Sequence, residues 1–107
     1  MEISLQKEIN TVIQAIASNT KIEDVFLYGS LAYGTPKPSS DLDIFLIIPD
    51  SDVDIYDLNA EIRFTLYKKL SRPLDLVIAK KSVFERRSKA PTLESIIAKK
   101  GVRVYGK

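Results

Sequence analysis

Two apolar runs and the loop between them constrain this chain more than any other feature. Val25, Phe26, Leu27 and Tyr28 run into Gly29 and Ser30; ten residues later Asp41-Leu42-Asp43 opens a second run, Ile44, Phe45, Leu46, Ile47 and Ile48. Short apolar runs bounded by Gly, Pro and Asp read as strands, so the stretch predicts strand, sharp turn, loop, strand, with the two strands adjacent in one sheet. Alternate side chains of a strand share a face. Asp41 and Asp43 are therefore expected to point the same way, with Cα atoms about 6.5 Å apart, and Leu42 to point into the core. Carboxylates this close repel one another unless a cation sits between them. Hard divalent cations take oxygen ligands, and Mg²⁺ typically combines one or two protein carboxylates with substrate phosphates. The pair thus suits a metal-bound phosphate.

Gly29 and Ser30 supply the other half of such a site. Glycine can take the backbone conformation of a tight turn and leaves room for a ligand to approach. The N–H groups of the turn and the Ser30 hydroxyl can then donate to phosphate oxygens. Gly34 is expected to keep the next segment tight, and Pro36 and Pro38 to stiffen the return to Asp41. The plainer alternative is a glycine turn followed by a solvated Asp-x-Asp at a strand start.

The remaining elements follow from periodicity. In residues 2–18, Leu5, Ile9, Val12, Ile13 and Ile16 lie on one helical face, and Ser18, Asn19 and Thr20 end the helix. Pro49 closes the second strand. Asp50, Asp52 and Asp54 lack the glycine and distal glutamate of a calcium-binding EF-hand loop. They read instead as acids at the start of a helix, whose stripe is Ile55, Leu58, Ile62 and Leu66, with Lys68 and Lys69 in its last turn. Residues 71–73 break it. Residues 74–78 form a third strand in which Asp75 is the only polar residue. A lone carboxylate inside such a run is costly unless paired or metal-bound. If this strand lies beside the second, Asp75 joins Asp41 and Asp43; the alternative is an edge aspartate paired with Arg72 or a lysine. Thr92 is expected to cap a helix over residues 93–100, with Gly101 at its C′ position, and residues 102–105 to form a last strand.

The 107 residues are expected to make one domain over 1–107. The order predicts an α/β (α+β) fold: a small mixed sheet of about four strands with helices on one face. The chain has no cysteine and no histidine, which excludes disulfides, thiolate or imidazole metal sites and histidine-based triads. Carboxylates, hydroxyls, lysines or a metal must carry any chemistry. No secretory leader or apolar run of membrane-spanning length is evident, so a cytoplasmic location with no membrane partner is expected. Charge is uneven. Residues 1–61 hold three basic and eleven acidic side chains (−8), and residues 62–107 hold thirteen and three (+10). The basic half, including Lys80, Lys81, Arg86, Arg87 and Lys89, suits an anionic ligand or an acidic partner; a solvated surface reads equally well.

Gly-Ser, ten residues, then Asp-x-Asp resembles the signature of the nucleotidyltransferase superfamily that includes DNA polymerase β. The short chain resembles its minimal nucleotidyltransferases, some of which pair with HEPN-domain proteins in prokaryotic toxin–antitoxin systems. The resemblance implies a polymerase beta-like fold and transfer of a nucleoside monophosphate, AMP from ATP, to an acceptor hydroxyl, with a HEPN-domain protein as an expected partner. It implies that Asp41, Asp43 and Asp75 are catalytic and hold Mg²⁺, two ions in the full site, and that Gly29 and Ser30 bind the triphosphate. Its minimal members often carry arginines where this chain has Leu31 and Tyr33. The rival reading is an antitoxin subunit that works by covering its partner. A small-molecule acceptor or a nucleic-acid substrate is expected less, for want of a second domain. The acceptor, the base preference and any homo-oligomeric state are open at this stage.

Overall fold

A computed structural model describes residues 3–34 and 40–106. Pro36 and Pro38, given a stiffening role above, lie outside these. The elements are α1 (Ile3–Ala17), β1 (Asp24–Tyr28), α2 (Ser30–Tyr33), β2 (Leu42–Ile48), α3 (Ile55–Thr65), β3 (Leu74–Lys80), α4 (Lys81–Arg87), α5 (Leu93–Lys100) and β4 (Val102–Tyr105). One mixed sheet has the order β3-β2-β1-β4. β1 is antiparallel to both β2 and β4, and β2 runs parallel to β3. The two strands that flank the loop are therefore neighbours, as expected.

The sheet is covered on both faces, not on one. Leu42, Ile44, Leu46, Leu76 and Ile78 pack with Leu5, Ile9, Val12 and Ile16 of α1 and Leu58 and Ile62 of α3. The alternate residues Phe26, Phe45, Ile47 and Ala79 face the other way and pack with Ile97 of α5 and Phe84 of α4. Strand β2 is central and doubly covered. All its residues are buried except Asp43.

Two helices differ from the expectation. α3 stops at Thr65: the Leu66 N–H is shared between the Ile62 and Arg63 carbonyls, the Tyr67 N–H bonds back three residues to Phe64, and Lys68 takes a left-handed φ of 59°. Lys68 and Lys69 lie beyond the helix. Its start follows the acidic reading: Asp54 accepts from the Tyr56 and Asp57 N–H groups at 2.8 and 3.2 Å. The basic run hides a helix, α4. It is capped from a distance, since the Asp50 carboxylate accepts the Ser82 N–H at 3.0 Å, and pinned by Phe84, whose ring meets Phe45 edge-on at 5.5 Å. Gly101 ends α5 at φ −62°. It needs to be glycine for space, since a Cβ there would lie 2.7 Å from the Ile97 carbonyl and 3.1 Å from the Phe26 ring.

The free edge of β3 is partly closed. Asn59 Nδ2 and Arg63 Nη1 of α3 donate to the Leu76 and Leu74 carbonyls at 2.8 and 2.9 Å. At the head of the strand, Glu8 of α1 takes both the Ser71 N–H and hydroxyl at 2.8 Å and the Arg72 guanidinium at 2.8 Å. No helix among the described residues is long and apolar enough to cross a membrane.

Candidate active site

β1 ends at Tyr28, and the chain turns at Gly29 with φ 75° and ψ −158°, a region essentially reserved for glycine that costs other residues about 1–3 kcal/mol. Space demands glycine here as well, because a Cβ on Gly29 would overlap the Asp43 carboxylate. Ser30 then opens α2, a single turn in which the Ala32 and Tyr33 N–H groups return to the Gly29 carbonyl at 3.1 and 3.2 Å. Leu31 and Ala32 hold the turn against the α1–α3 side of the core. The expected sharp turn is thus one turn of helix, too short for apolar periodicity to reveal.

Strand register brings the polar residues together. Asp43 stands opposite Tyr28 across β1–β2 and opposite Asp75 across β2–β3. Adjacent strands lie about 4.8 Å apart, so Tyr28, Asp43 and Asp75 form one row on one face. It is the face that carries Phe45, beyond the cover of α4 and α5. The Tyr28 ring meets Phe45 at 6.5 Å, edge-on. Asp41 lies one residue before β2 and is exposed. Its charge still acts on Asp43.

Among the described residues the row has no counter-charge. Burial raises the Asp43 pKa, and the Asp75 and Asp41 carboxylates raise it further. Burial, then Asp75, Asp43 and Tyr33, push the Tyr28 phenol up to about 12. Among the described residues neither Asp43 nor Asp75 has an ion-pair partner. Arg72, three residues from Asp75, is taken by Glu8. Asp75 is exposed, so the cost of burying a lone carboxylate does not apply to it; the edge position of β3 keeps it wet. Among the described residues no three acidic side chains are grouped to hold one ion, so the three aspartates do not form a closed cage. An open pair against phosphate is still a donor set that suits Mg²⁺.

The basic run sits elsewhere. Lys80 lies five residues along β3 from Asp75, about 16 Å at strand rise. Lys81 pairs with Glu23 at 3.8 Å and Arg87 with buried Glu94 at 2.8 Å. Arg86 and Lys89 have no ion pair among the described residues.

The family model of the nucleotidyltransferase domain matches residues 9–104. The chain belongs to that family. It is a transferase of phosphorus-containing groups by membership, and its solved neighbours share the fold. A toxin–antitoxin structure with AMP-PNP matches at 23% identity over 92% of this chain and 73% of that one, with a TM-score of 0.63. A protein from Sulfolobus solfataricus, solved as a candidate nucleotidyltransferase, matches at 18% over 98% and 83%, TM-score 0.68. The spectinomycin adenyltransferase of Enterococcus faecialis, solved with ATP and spectinomycin, matches at 17% over 97% of this chain and 55% of that one, TM-score 0.54. No curated protein matches the chain.

In this nucleotidyltransferase, Gly29, Ser30, Asp43 and Asp75 fall at one end of β1, β2 and β3, with Asp41 beside them. Tyr28 was not a sequence candidate. It reads as the last apolar residue of a strand, and only the β1–β2 register puts its hydroxyl beside two carboxylates.

Proposed function

We propose that this nucleotidyltransferase moves AMP from ATP to an acceptor hydroxyl on a partner protein. The observation that carries the reading is the pairing of Asp43 with Asp75 in register, uncompensated among the described residues, against a Gly29 that leaves room for the Asp43 carboxylate. Asp43 and Asp75, with Asp41 alongside, would hold Mg²⁺, two ions in the full site, which when bound would neutralise the triphosphate and lower the pKa of the acceptor hydroxyl. The first N–H groups of α2 lack partners within the helix; they and the Ser30 hydroxyl would donate to phosphate oxygens as charge develops there. Asp75 is exposed and can reach the acceptor, so it would take the hydroxyl proton. The acceptor oxygen bonds to the α-phosphorus, the bond to the bridging oxygen breaks, and pyrophosphate leaves.

The protein acceptor rests on the likeness to minimal nucleotidyltransferases and to a toxin–antitoxin pair, with a helical HEPN-domain protein as the expected partner. One observation favours the rival reading, an antitoxin that acts by covering that partner. Leu31 packs against the core and Tyr33 is uncharged, so neither position supplies a cation to the triphosphate. Label transfer from α-phosphate-labelled ATP with Mg²⁺, with and without the co-purifying protein, separates the two. Label on the partner that is lost with Asp43→Asn supports transfer. A bound partner with no label supports masking.

A further inference from the structure

Tyr28 adjoins both halves of the candidate site, and the chemistry derived above leaves it unused. It directly precedes Gly29 and Ser30, and it stands opposite Asp43 across β1–β2. A triphosphate reaching from the Ser30 hydroxyl to an ion on Asp43 and Asp75 therefore passes Tyr28. The ring is fixed there. It meets the buried Phe45 edge-on at 6.5 Å, and Phe45 meets Phe84 edge-on at 5.5 Å.

The hydroxyl has no structural role of its own. Among the described residues it makes no hydrogen bond. No buried side-chain oxygen is left without a partner, so the Tyr28 oxygen is open to solvent. Phenylalanine would make the same contact with Phe45. What the hydroxyl adds is a donor, since a phenol is un-ionised at neutral pH. A donor is what an incoming phosphate lacks here. Among the described residues no cation pairs with Asp43 or Asp75, and Lys80 lies five residues along β3 from Asp75, about 16 Å.

We propose that the Tyr28 hydroxyl is a substrate-binding group, donating a hydrogen bond to a non-bridging oxygen of the triphosphate. The inference rests on the nucleotidyl-transfer reading for the class of substrate. It makes the phenol a donor and not the acceptor of the transferred group.

Tyr28→Phe removes the hydroxyl and keeps the ring. Titration calorimetry of the full chain with Mg²⁺ and either AMP-PNP or tripolyphosphate reads binding apart from turnover. The variant is expected to bind both probes about tenfold more weakly than the wild type, at an unchanged melting temperature. Equal affinities overturn the proposal. So does a loss confined to AMP-PNP, which puts the hydroxyl on the nucleoside, and so does a loss accompanied by earlier melting, which makes Tyr28 structural. Label from α-phosphate-labelled ATP that appears on the chain itself and vanishes in Tyr28→Phe overturns it as well, because the phenol is then the acceptor. A wild type that binds AMP-PNP and transfers no label overturns the transfer reading alone, since the affinities still decide the role of Tyr28. A wild type that binds neither probe overturns both.

Discussion

Glu8 and Asp43 are both partly buried carboxylates, and their surroundings act on them in opposite senses. Burial raises the pKa of each. At Glu8 the Arg72 guanidinium, the Ser71 N–H and the Ser71 hydroxyl outweigh it and hold the carboxyl below its ordinary range. At Asp43 the neighbours are Asp75 and Asp41, and they push the pKa further up. Glu8 ties α1 to the head of β3. Asp43 has no ion pair among the described residues, and Gly29 yields it space. The chain's nearest cation to Asp75 in sequence is engaged by Glu8, and among the described residues the proposed catalytic pair is left with its repulsion. Glu8 is satisfied as a stabilising group is; Asp43 is held short of satisfaction, as the proposed catalytic role requires.

The sharpest way to break this contrast is to remove each charge in turn. Asp43→Asn is expected to lower nucleotidyl transfer by more than about a hundredfold and not to lower the melting temperature. Its raised pKa means that the fold disfavours the ionised form, so above that pKa the charge costs stability and its removal returns some. A variant that melts earlier and still transfers would reverse the assignment. Glu8→Gln should do the opposite: about 1–3 kcal/mol of stability lost, read by urea unfolding, with transfer per folded molecule unchanged. Its folded pKa lies below the ordinary 4.5. The contribution is therefore present above that value and is lost as pH falls through the folded pKa, so wild type and Glu8→Gln should converge in stability in acid.

Gly29→Ala probes the space beside Asp43. It should cost about 1–3 kcal/mol for a backbone region essentially reserved for glycine and displace the carboxylate, lowering transfer as well as stability. The smallest effect is the most diagnostic. Mg²⁺ at ten times its dissociation constant should stabilise the wild type by about 1.4 kcal/mol, seen as a rise in melting temperature, and should leave Asp43→Asn unmoved.

Much of this was legible in the residues. The spacing of Leu5, Ile9, Val12 and Ile16 gave α1, and Thr92 marked the start of α5, where its hydroxyl accepts the Ser95 N–H at 3.2 Å. The Asp-x-Asp and the lone Asp75 in an apolar run pointed to the carboxylate row, although Asp41 falls outside β2 and Asp75 is wet. What escaped depends on partners distant in sequence. α4 is capped by Asp50, thirty-two residues away. Arg72 lies three residues from Asp75 and pairs with Glu8, sixty-four residues back. The second covered face does have a local signal: Phe45 and Ile47 make β2 apolar on both sides, the mark of a doubly buried strand. Tyr28 needed the register between β1 and β2 across residues 29–41, which no local rule supplies.

That register has a consequence for how the molecule is made. Asp43 meets Asp75 only because Leu42 meets Leu74 and Ile44 meets Leu76 in the same ladder. A slip of one residue would turn every side chain of β3 to the other face, driving Asp75 towards the space that Leu76 and Ile78 now fill. The mispaired sheet would lose its carboxylate row and its core together. Quality control of the chemistry is thereby built into folding: a chain assembled in the wrong frame would unfold, and proteolysis could clear it before it persisted as an inert look-alike.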